Sequence, residues 1–240
     1  DCARRDFTIN AMGLDKDLNV IDYFGGIDDL VFRRLRAVGN PYDRMTEDSL
    51  RIIRGMRFAA RFGFVVDDLT KLAMRSRLHH VKNVAMERIH DELHKCAEYG
   101  VMPFVHMIGY LSDYGIGSIF QDAGFCFDRQ RMLVETLVRG NVDADTIMSV
   151  FICMLPKKTM EWLRCTRKEI RMAERIRDGL IGIMSGKFGL ADEEVQVVAV
   201  GSVEGGAGNL DFADHFLDDF HGLHAVGFQV LDGHKHAGIE

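Results

Sequence analysis

The sequence predicts a mainly α-helical protein with a small β segment at its amino terminus. Only three of the 240 residues are proline, and Leu, Ala, Met and Arg, which favour helices, are frequent. From residue 46 onward, apolar residues recur with the helical period of about 3.6 residues. This pattern predicts helices at residues 46–62, 67–77, 86–98, 101–112, 128–139, 143–154 and 167–184.

The β signal lies in the first 38 residues. Phe7–Leu14 and Val20–Phe24 predict strands around a polar turn at Asp15–Asn19, a pattern typical of a hairpin. Two glycines then interrupt the chain, and residues 27–38 predict a short helix and a further strand. Because two or three strands make a poor sheet by themselves, we expect this segment to be the edge of a larger β structure.

Charge is unevenly distributed along the chain, whose formal net charge is −6. Residues 1–191 carry 29 Lys and Arg against 26 Asp and Glu, whereas residues 192–240 carry one against ten. The acidity therefore belongs to the carboxyl-terminal segment, and the rest of the chain is compatible with an anionic partner.

Cysteine usage and hydropathy indicate the compartment. The five cysteines are scattered and never form a CxxC pair, which favours reduced thiols over disulfides or a zinc site. No run approaches the roughly 18 apolar residues of a membrane span, and no signal peptide is recognisable. We therefore expect a cytoplasmic protein that has no membrane partner.

Residues 46–62 predict the most informative helix of the chain. One side of it is apolar and predicts an ordinary buried stripe. Thr46 is the expected N-cap, and Glu47 and Asp48 suit the positive end of the helix dipole. The apolar side consists of Ile52, Ile53, Met56, Ala59 and Ala60.

The opposite side of this helix is cationic. Arg51, Arg54 and Arg57 follow one another at steps of three, with Arg61 beyond them. The planar guanidinium fork suits phosphates and base edges. Asp48 and Arg51, at i and i+3, lie side by side and are placed to hold one flat ligand. The alternative is a solvated face of salt bridges such as Glu47–Arg51.

A carboxylate beside an arginine discriminates between bases. Cytosine and adenine each place an amine donor beside a ring-nitrogen acceptor, so a carboxylate accepts from the amine while an arginine donates to the ring nitrogen. Uracil and guanine present a carbonyl and a ring N–H, which reverses the pattern. Asp48 and Arg51 together therefore suit cytosine and adenine.

Five motifs follow one another in the order and spacing of a known family. Together they resemble the class II tRNA nucleotidyltransferases (CCA-adding enzymes) and their bacterial poly(A) polymerase relatives, over roughly residues 1–100. The motifs are RRDFTINAM at Arg4–Met12, IDYFGGIDDL at Ile21–Leu30, RAVG at Arg36–Gly39, EDSLRIIRGMRFAARFGF at Glu47–Phe64 and ERIHDEL at Glu87–Leu93.

The resemblance implies roles for individual residues. Asp48 and Arg51 would read the base of CTP or ATP, Arg54 and Arg57 would assist at the nucleotide, and Arg5 would contact its phosphates or sugar. Two positions depart from the family pattern: Ser49 replaces a common Pro, and Gly55 replaces a common Ala. Supporting roles are implied for Asp6, Asn10, Glu47, Glu87 and Arg88.

Magnesium ligands are not expected in this chain. In the family a DxD pair that follows a GGxxRD segment, upstream of RRD, holds Mg²⁺. We therefore expect a fragment that is inactive by itself. Asp15 and Asp17 lie on a predicted turn, which attracts Asp for local reasons. Asp143 and Asp145 are expected to begin a helix.

Histidines suggest a second class of metal enzyme, the HD-type phosphohydrolases. His90-Asp91 would supply two ligands and His79 or His80 a third. The spacing is too tight for that fold, and His90-Asp91 lies inside the ERIHDEL match. The tail histidines lack regular ligand spacing, and we expect them to be solvated or to cap helices; they are His215, His221, His224, His234 and His236.

A second basic cluster spans residues 157–177. In the family this region would lie in the helical body, where it would contact RNA phosphates. The alternative is an ordinary charged face, because Glu161, Glu169, Glu174 and Asp178 are interleaved. The tentative RNA contacts are Arg167, Lys168, Arg171 and Arg175.

The resemblance also implies an organisation and a reaction. Residues 1–45 would be a β remnant of the nucleotidyltransferase head, 46–100 a helical neck, 101–186 a helical body and 187–240 an acidic tail. The reaction would add C and A to the 3′ end of tRNA from CTP and ATP. A poly(A) polymerase acting on other RNA 3′ ends is the nearest alternative. A non-catalytic RNA- or nucleotide-binding protein is the alternative from another class.

Overall fold

A computed structural model of the protein describes residues 1–116, 127–138 and 142–184. These residues belong to the first of two compact units, Asp1–Ser202. The predicted tail and its histidines lie outside the described residues, as does Cys126. The helices of the described part are α1 Gly26–Val31, α2 Pro41–Glu47, α3 Leu50–Phe62, α4 Asp68–Arg77, α5 Met86–Ala97, α6 Val101–Asp113, α7 Phe127–Leu137, α8 Ala144–Ile152, α9 Lys157–Trp162 and α10 Arg167–Met184.

The described part of the chain is mainly helical, as predicted. Helices α4 to α8 and α10 agree with the predicted segments to within one or two residues, whereas α9 was not predicted. Among the described helices, none has the length and apolarity needed to cross a membrane.

Strands of the described residues form two short pairs near the amino terminus. β1 and β2 make the predicted antiparallel hairpin. Asp15 builds its turn, because its Oδ1 accepts the N–H groups of Asp17 and Asn19, each at 2.8 Å. β3 runs parallel to β4. The strands are β1 Met12–Leu14, β2 Val20–Asp22, β3 Arg34–Leu35 and β4 Val65–Val66.

The predicted strand Phe7–Leu14 is wrong in its first half. Thr8–Asn10 forms a 3-10 turn, in which the Asn10 side chain accepts the Phe7 N–H at 3.2 Å. Such local side-chain bonds compete with strand pairing, so β1 is left with three residues.

The predicted helix 46–62 is two helices rather than one. Asn40 caps α2, whose first residue is Pro41, a favoured residue at that position. Thr46 therefore lies inside α2 and is not an N-cap. Asp48 has an extended backbone, with φ −148°, and ends α2. Its carboxylate accepts the Leu50 N–H at 3.0 Å, so α3 begins only after this break.

The apolar side of α3 is buried, as predicted. It packs against α5 and α6, while α6 to α8 and α10 continue the core. Gly63, at φ +62°, ends α3 in the left-handed conformation that favours glycine. The buried residues of α3 include Ile52, Ile53, Met56, Ala59 and Ala60, which are at most 4% exposed.

Two glycines let the amino-terminal segment approach the helices closely. A Cβ on Gly26 would lie 2.3 Å from the carbonyl oxygen of Thr8. A Cβ on Gly55 would lie 3.0 Å from Phe7 Cζ and 3.2 Å from Met74 Cε. Close packing against Phe7 and Met74 therefore explains the glycine at position 55, although glycine weakens a helix by about 1 kcal/mol relative to alanine.

Candidate functional site

The cationic face of α3 carries a ladder of arginines and carboxylates. Arg51 Nε lies 3.1 Å from Asp6 Oδ1, and Arg54 Nη2 lies 2.6 Å from Asp6 Oδ2. Arg54 Nη1 also lies 3.2 Å from Glu92 Oε1, and Arg57 Nε lies 2.6 Å from Glu92 Oε2. Asp6 comes from the amino-terminal segment and Glu92 from α5. We call these five residues the arginine ladder.

Exposure changes steeply along the ladder. The Arg57 side chain is 6% exposed and Glu92 is 2% exposed, whereas Arg54 is 28% exposed. Burial lowers the pKa of the Arg54 guanidinium, but the Asp6 and Glu92 carboxylates outweigh this effect and raise its pKa. Arg54 is therefore a fixed, permanently charged group with one open side.

Arg57 is enclosed by other groups as well. Its guanidinium lies over the Phe58 ring, 4.4 Å from the centroid, and Nη1 donates to the Tyr99 hydroxyl at 3.4 Å. Arg61 Nη1 donates to the same hydroxyl at 2.8 Å. These contacts favour a positioning role for Arg57, and its predicted contact with a nucleotide stays a prediction.

Asp48 and Arg51 are neighbours at the α2–α3 junction, but each has its own protein partners. Asp48 Oδ2 accepts from Arg88 Nη2 at 2.7 Å. Partial burial raises the pKa of Asp48, but the hydrogen bonds from Arg88 and from the Leu50 N–H lower it further, so the carboxylate stays ionised. Arg51 Nη1 donates to Glu47 Oε2 at 2.8 Å. The Glu47–Arg51 salt bridge, which the alternative of a solvated charged face predicted, therefore forms. It belongs to a partly buried network.

The RRD segment lies along the start of α3. The Arg4 carbonyl accepts from Arg51 Nη2 at 3.3 Å, so the segment is fixed on both sides of Arg5. Arg5 itself is exposed and pairs with Asp1 at 2.9 Å. Asn10 holds the following turn through the Phe7 N–H, and its predicted supporting role at the nucleotide site stays a prediction.

Glu87 and Arg88, the other predicted supporting residues, lie at the start of α5. Arg88 reaches Asp48, as described above, whereas Glu87 pairs with Arg164 at 2.9 Å. Arg88 thus joins the candidate site directly, and Glu87 instead connects α5 to the loop before α10.

Two buried carboxylates were missed by sequence reasoning. Glu92 lies on the same face of α5 as Ile89, Leu93 and Cys96. An acidic residue within an apolar stripe is the sequence signal that indicates a buried, paired carboxylate. Asp29 is fully buried. It accepts from the Thr8 hydroxyl at 2.6 Å and from two arginines, Arg34 at 2.6 Å and Arg36 at 2.9 Å.

Acidic side chains near the ladder do not fit a magnesium site. Asp6 already binds two arginines, and Asp15 accepts local N–H groups as described above. Asp22 accepts the N–H groups of Gly26 and Ile27, each at 2.9 Å. The described residues therefore offer Mg²⁺ no pair of open carboxylates at this place. Asp143 caps α8, as predicted.

The HD-type arrangement is not formed in the described structure. His90 is buried and faces Glu169, at 3.1 Å, whereas Asp91 is exposed on the other side of α5. His79 and His80 stack on each other, with ring centroids 4.1 Å apart.

The basic cluster divides into paired and unpaired cations. Lys168 pairs with Asp145 at 2.5 Å and Lys157 with Glu174 at 3.4 Å. Of the interleaved acids, Glu169 is turned inward. Along α10, the exposed cations without an ion pair to another described residue are Arg167, Arg171 and Arg175.

The chain is similar to known proteins over part of its length. A family model of the poly A polymerase head domain matches residues 1–36. A CCA-adding enzyme of Staphylococcus saprophyticus is 46% identical over 95 residues, which are 40% of this chain and 24% of the relative. The amino-terminal part of the chain is therefore similar in sequence to CCA-adding enzymes. A CCA-adding enzyme of Lactococcus lactis is 47% identical over 95 residues. The chain spans about a quarter of the length of these relatives, at 24%.

Solved structures of CCA-adding enzymes share the fold. The Bacillus stearothermophilus enzyme in complex with CTP matches 93% of this chain and 59% of its own, with a TM-score of 0.66 and 22% identity. The Thermotoga maritima enzyme complexed with tRNA matches 90% of this chain and 59% of its own, with a TM-score of 0.64 and 20% identity. The likeness therefore extends beyond the amino-terminal segment into the helical part.

Replacing Glu92 tests the ladder. Glu92→Gln removes the buried charge that Arg57 and Arg54 share, so we expect the free energy of unfolding to fall by about 3 kcal/mol. The measurement is urea denaturation followed by circular dichroism. Glu98→Gln, on an exposed pair at the end of the same helix, is the control and should change stability by less than about 0.5 kcal/mol. Equal stability of the two variants would contradict a buried ladder.

Proposed function

We propose that this chain belongs to an enzyme that adds C and A to the 3′ end of tRNA from CTP and ATP, and that the α3 arginine face selects the nucleotide. The observation that supports this most is the ladder itself. Asp6 and Glu92 brace Arg51 and Arg54, and Asp48 lies three residues before Arg51. The amino-terminal part of the chain is also similar in sequence to CCA-adding enzymes.

Asp48 keeps acceptor capacity for a base. An ionised carboxylate has about four lone-pair sites, and Asp48 uses one for the Leu50 N–H and one for Arg88. The remaining sites are available to the amine of cytosine or adenine. Arg88 therefore stays in place and orients the carboxylate when a base binds.

Arg51 likewise keeps a donor. Its Nε donates to Asp6, and Nη1 donates to the Arg44 carbonyl and to Glu47. Nη2 donates to the Arg4 carbonyl. Since a guanidinium has five N–H groups, one N–H on Nη2 remains for the ring nitrogen of the base. Arg54, which is more exposed, supplies positive charge beside it.

In this enzyme α3 selects the nucleotide and α10 binds the RNA. Arg167, Arg171 and Arg175 form a stripe that makes no ion pair with the other described residues and suits the phosphates of tRNA. Lys168, held by Asp145, is a weaker candidate. The free cysteines of the described residues agree with a cytoplasmic location. Mg²⁺ remains part of the proposed reaction, but the residues of the ladder do not supply its ligands.

A second candidate function is poly(A) addition, because the family model that matches residues 1–36 is a poly A polymerase head domain. The two activities differ in their use of CTP. Incorporation of CTP into tRNA lacking its 3′ CCA supports the first, and long tracts made from ATP alone support the second.

Asp48→Ala in the full-length protein tests the base-selection role. Loss of the acceptor leaves the amine of CTP and ATP unpaired, which costs about 1–3 kcal/mol. We expect lower incorporation of both and a smaller advantage over UTP, measured as single-nucleotide incorporation of all four triphosphates. Asp43→Ala, on an exposed acid of α2, is the control. A uniform fall for all four nucleotides would make Asp48 a structural residue only.

Binding of tRNA by this chain tests the α10 stripe. The triple Ala variant of Arg167, Arg171 and Arg175 should weaken affinity and reduce the slope of log K against log salt by about 2–3, since each phosphate contact adds about 0.7–0.9. Fluorescence anisotropy across a salt series gives both quantities. A matched triple Ala variant removes exposed cations that already have carboxylate partners, namely Arg131, Lys157 and Arg164. An equal loss of tRNA affinity in the two variants would mean that the stripe is an ordinary solvated face.

A further inference from the structure

Three unlike metal-ligand side chains meet where α5 packs against the start of α10. His90, Cys165 and Glu169 each offer one ligand atom, and these atoms all lie within 4.8 Å of one another. His90 Nε2 lies 3.1 Å from both carboxylate oxygens of Glu169. Glu169 is fully buried and His90 is 7% exposed. We call these residues the α5–α10 cluster.

Helix capping explains only part of this cluster. Thr166 and Glu169 form a capping box, in which the Thr166 N–H donates to Glu169 Oε2 at 2.5 Å and the Glu169 N–H donates to Thr166 Oγ1 at 3.1 Å. Capping satisfies one carboxylate oxygen. It does not require an imidazole and a thiol to converge on the same carboxylate.

The ligand set matches zinc in type and charge. Zinc binds imidazole nitrogen, thiolate sulfur and carboxylate oxygen at about 2.0–2.3 Å, so ligand atoms around one ion lie about 3.3–3.8 Å apart. The cluster reaches this spacing by side-chain movements of about 1 Å. A thiolate and a carboxylate balance the charge of Zn²⁺, so the buried site is neutral. Magnesium and calcium prefer oxygen ligands alone.

We propose that His90, Cys165 and Glu169 bind a zinc ion that fixes α5 to the start of α10. Three protein ligands leave the fourth position of a tetrahedral ion for water. The scattered cysteines favoured reduced thiols over a zinc site, whereas the site proposed here needs only one cysteine. Because α5 also carries Glu92, the ion would restrict the helix that braces the arginine ladder, although the site does not depend on the proposed function.

A neighbouring group of residues is less suitable. His94, Asp145 and Glu169 also lie within 4.8 Å of one another. However, Asp145 already pairs with Lys168 at 2.5 Å, and an ion there would lie beside the ammonium group. The ion therefore belongs on the His90 and Cys165 side of Glu169.

Cobalt substitution tests the site directly. The metal-free 240-residue chain is titrated with Co²⁺, whose absorption reports thiolate ligation by a charge-transfer band in the near ultraviolet. We expect such a band to saturate at one equivalent and to disappear when Zn²⁺ is added. Cys165→Ser and His90→Gln should each abolish the band or weaken binding at least tenfold.

Matched controls separate this site from other thiols and from the neighbouring group. Cys153→Ser removes a buried thiol at the end of α8, and His94→Gln removes the ligand of the alternative group; both variants should keep the band. Absence of a thiolate band in the unmodified chain would overturn the proposal, as would a band that survives Cys165→Ser. A loss of the band in Cys153→Ser alone would also overturn it. The cobalt titration of the unmodified chain tests the proposal by itself, so the proposal remains testable even when a variant misfolds.

Discussion

Two carboxylates packed against the arginines of α3 are the interaction on which the candidate site depends. Asp6 comes from the amino-terminal segment and Glu92 from α5, and the two meet at Arg54. They tie the amino-terminal segment and α5 to α3, and they fix the guanidinium groups in defined planes. Removing either acid would leave a partly buried arginine without its counter-charge, an arrangement that proteins rarely tolerate. Stability and the proposed nucleotide recognition therefore depend on the same contacts.

Secondary structure was predictable where the signal is local and periodic. The apolar stripe of α3, with Ile52 and Met56, follows directly from the helical period. The break at Asp48 was not predicted, because the periodicity continues across it. The signals that reveal it are Pro41 as a first helical residue and Asn40 as a cap, together with a carboxylate able to accept the Leu50 N–H. Capping chemistry, rather than hydrophobicity, decides where this helix begins.

Contacts between site residues close in sequence were predictable, even across the break between α2 and α3. The Glu47–Arg51 pair, at i and i+4, was within reach of spacing arguments, and so was the proximity of Asp48 to Arg51. The long-range partners could not be predicted, because no local sequence pattern indicates that Asp6 binds Arg54 or that Glu92 encloses Arg57. The tertiary contacts divide the arginines into the buried Arg57, suited to positioning, and the partly exposed Arg51 and Arg54, which are the candidates for recognition. Their regular spacing conceals this distinction.

The most direct test of this account is a crystal structure of the full-length protein with CTP. We predict an Asp48 oxygen at about 2.7–3.2 Å from the cytosine amine and an Arg51 nitrogen at a similar distance from the ring nitrogen. The Asp6–Arg54 and Glu92–Arg57 contacts should be unchanged from those seen without nucleotide. A base bound away from Asp48 and Arg51, or arginines that leave Asp6 and Glu92 to reach it, would contradict the braced face proposed for α3.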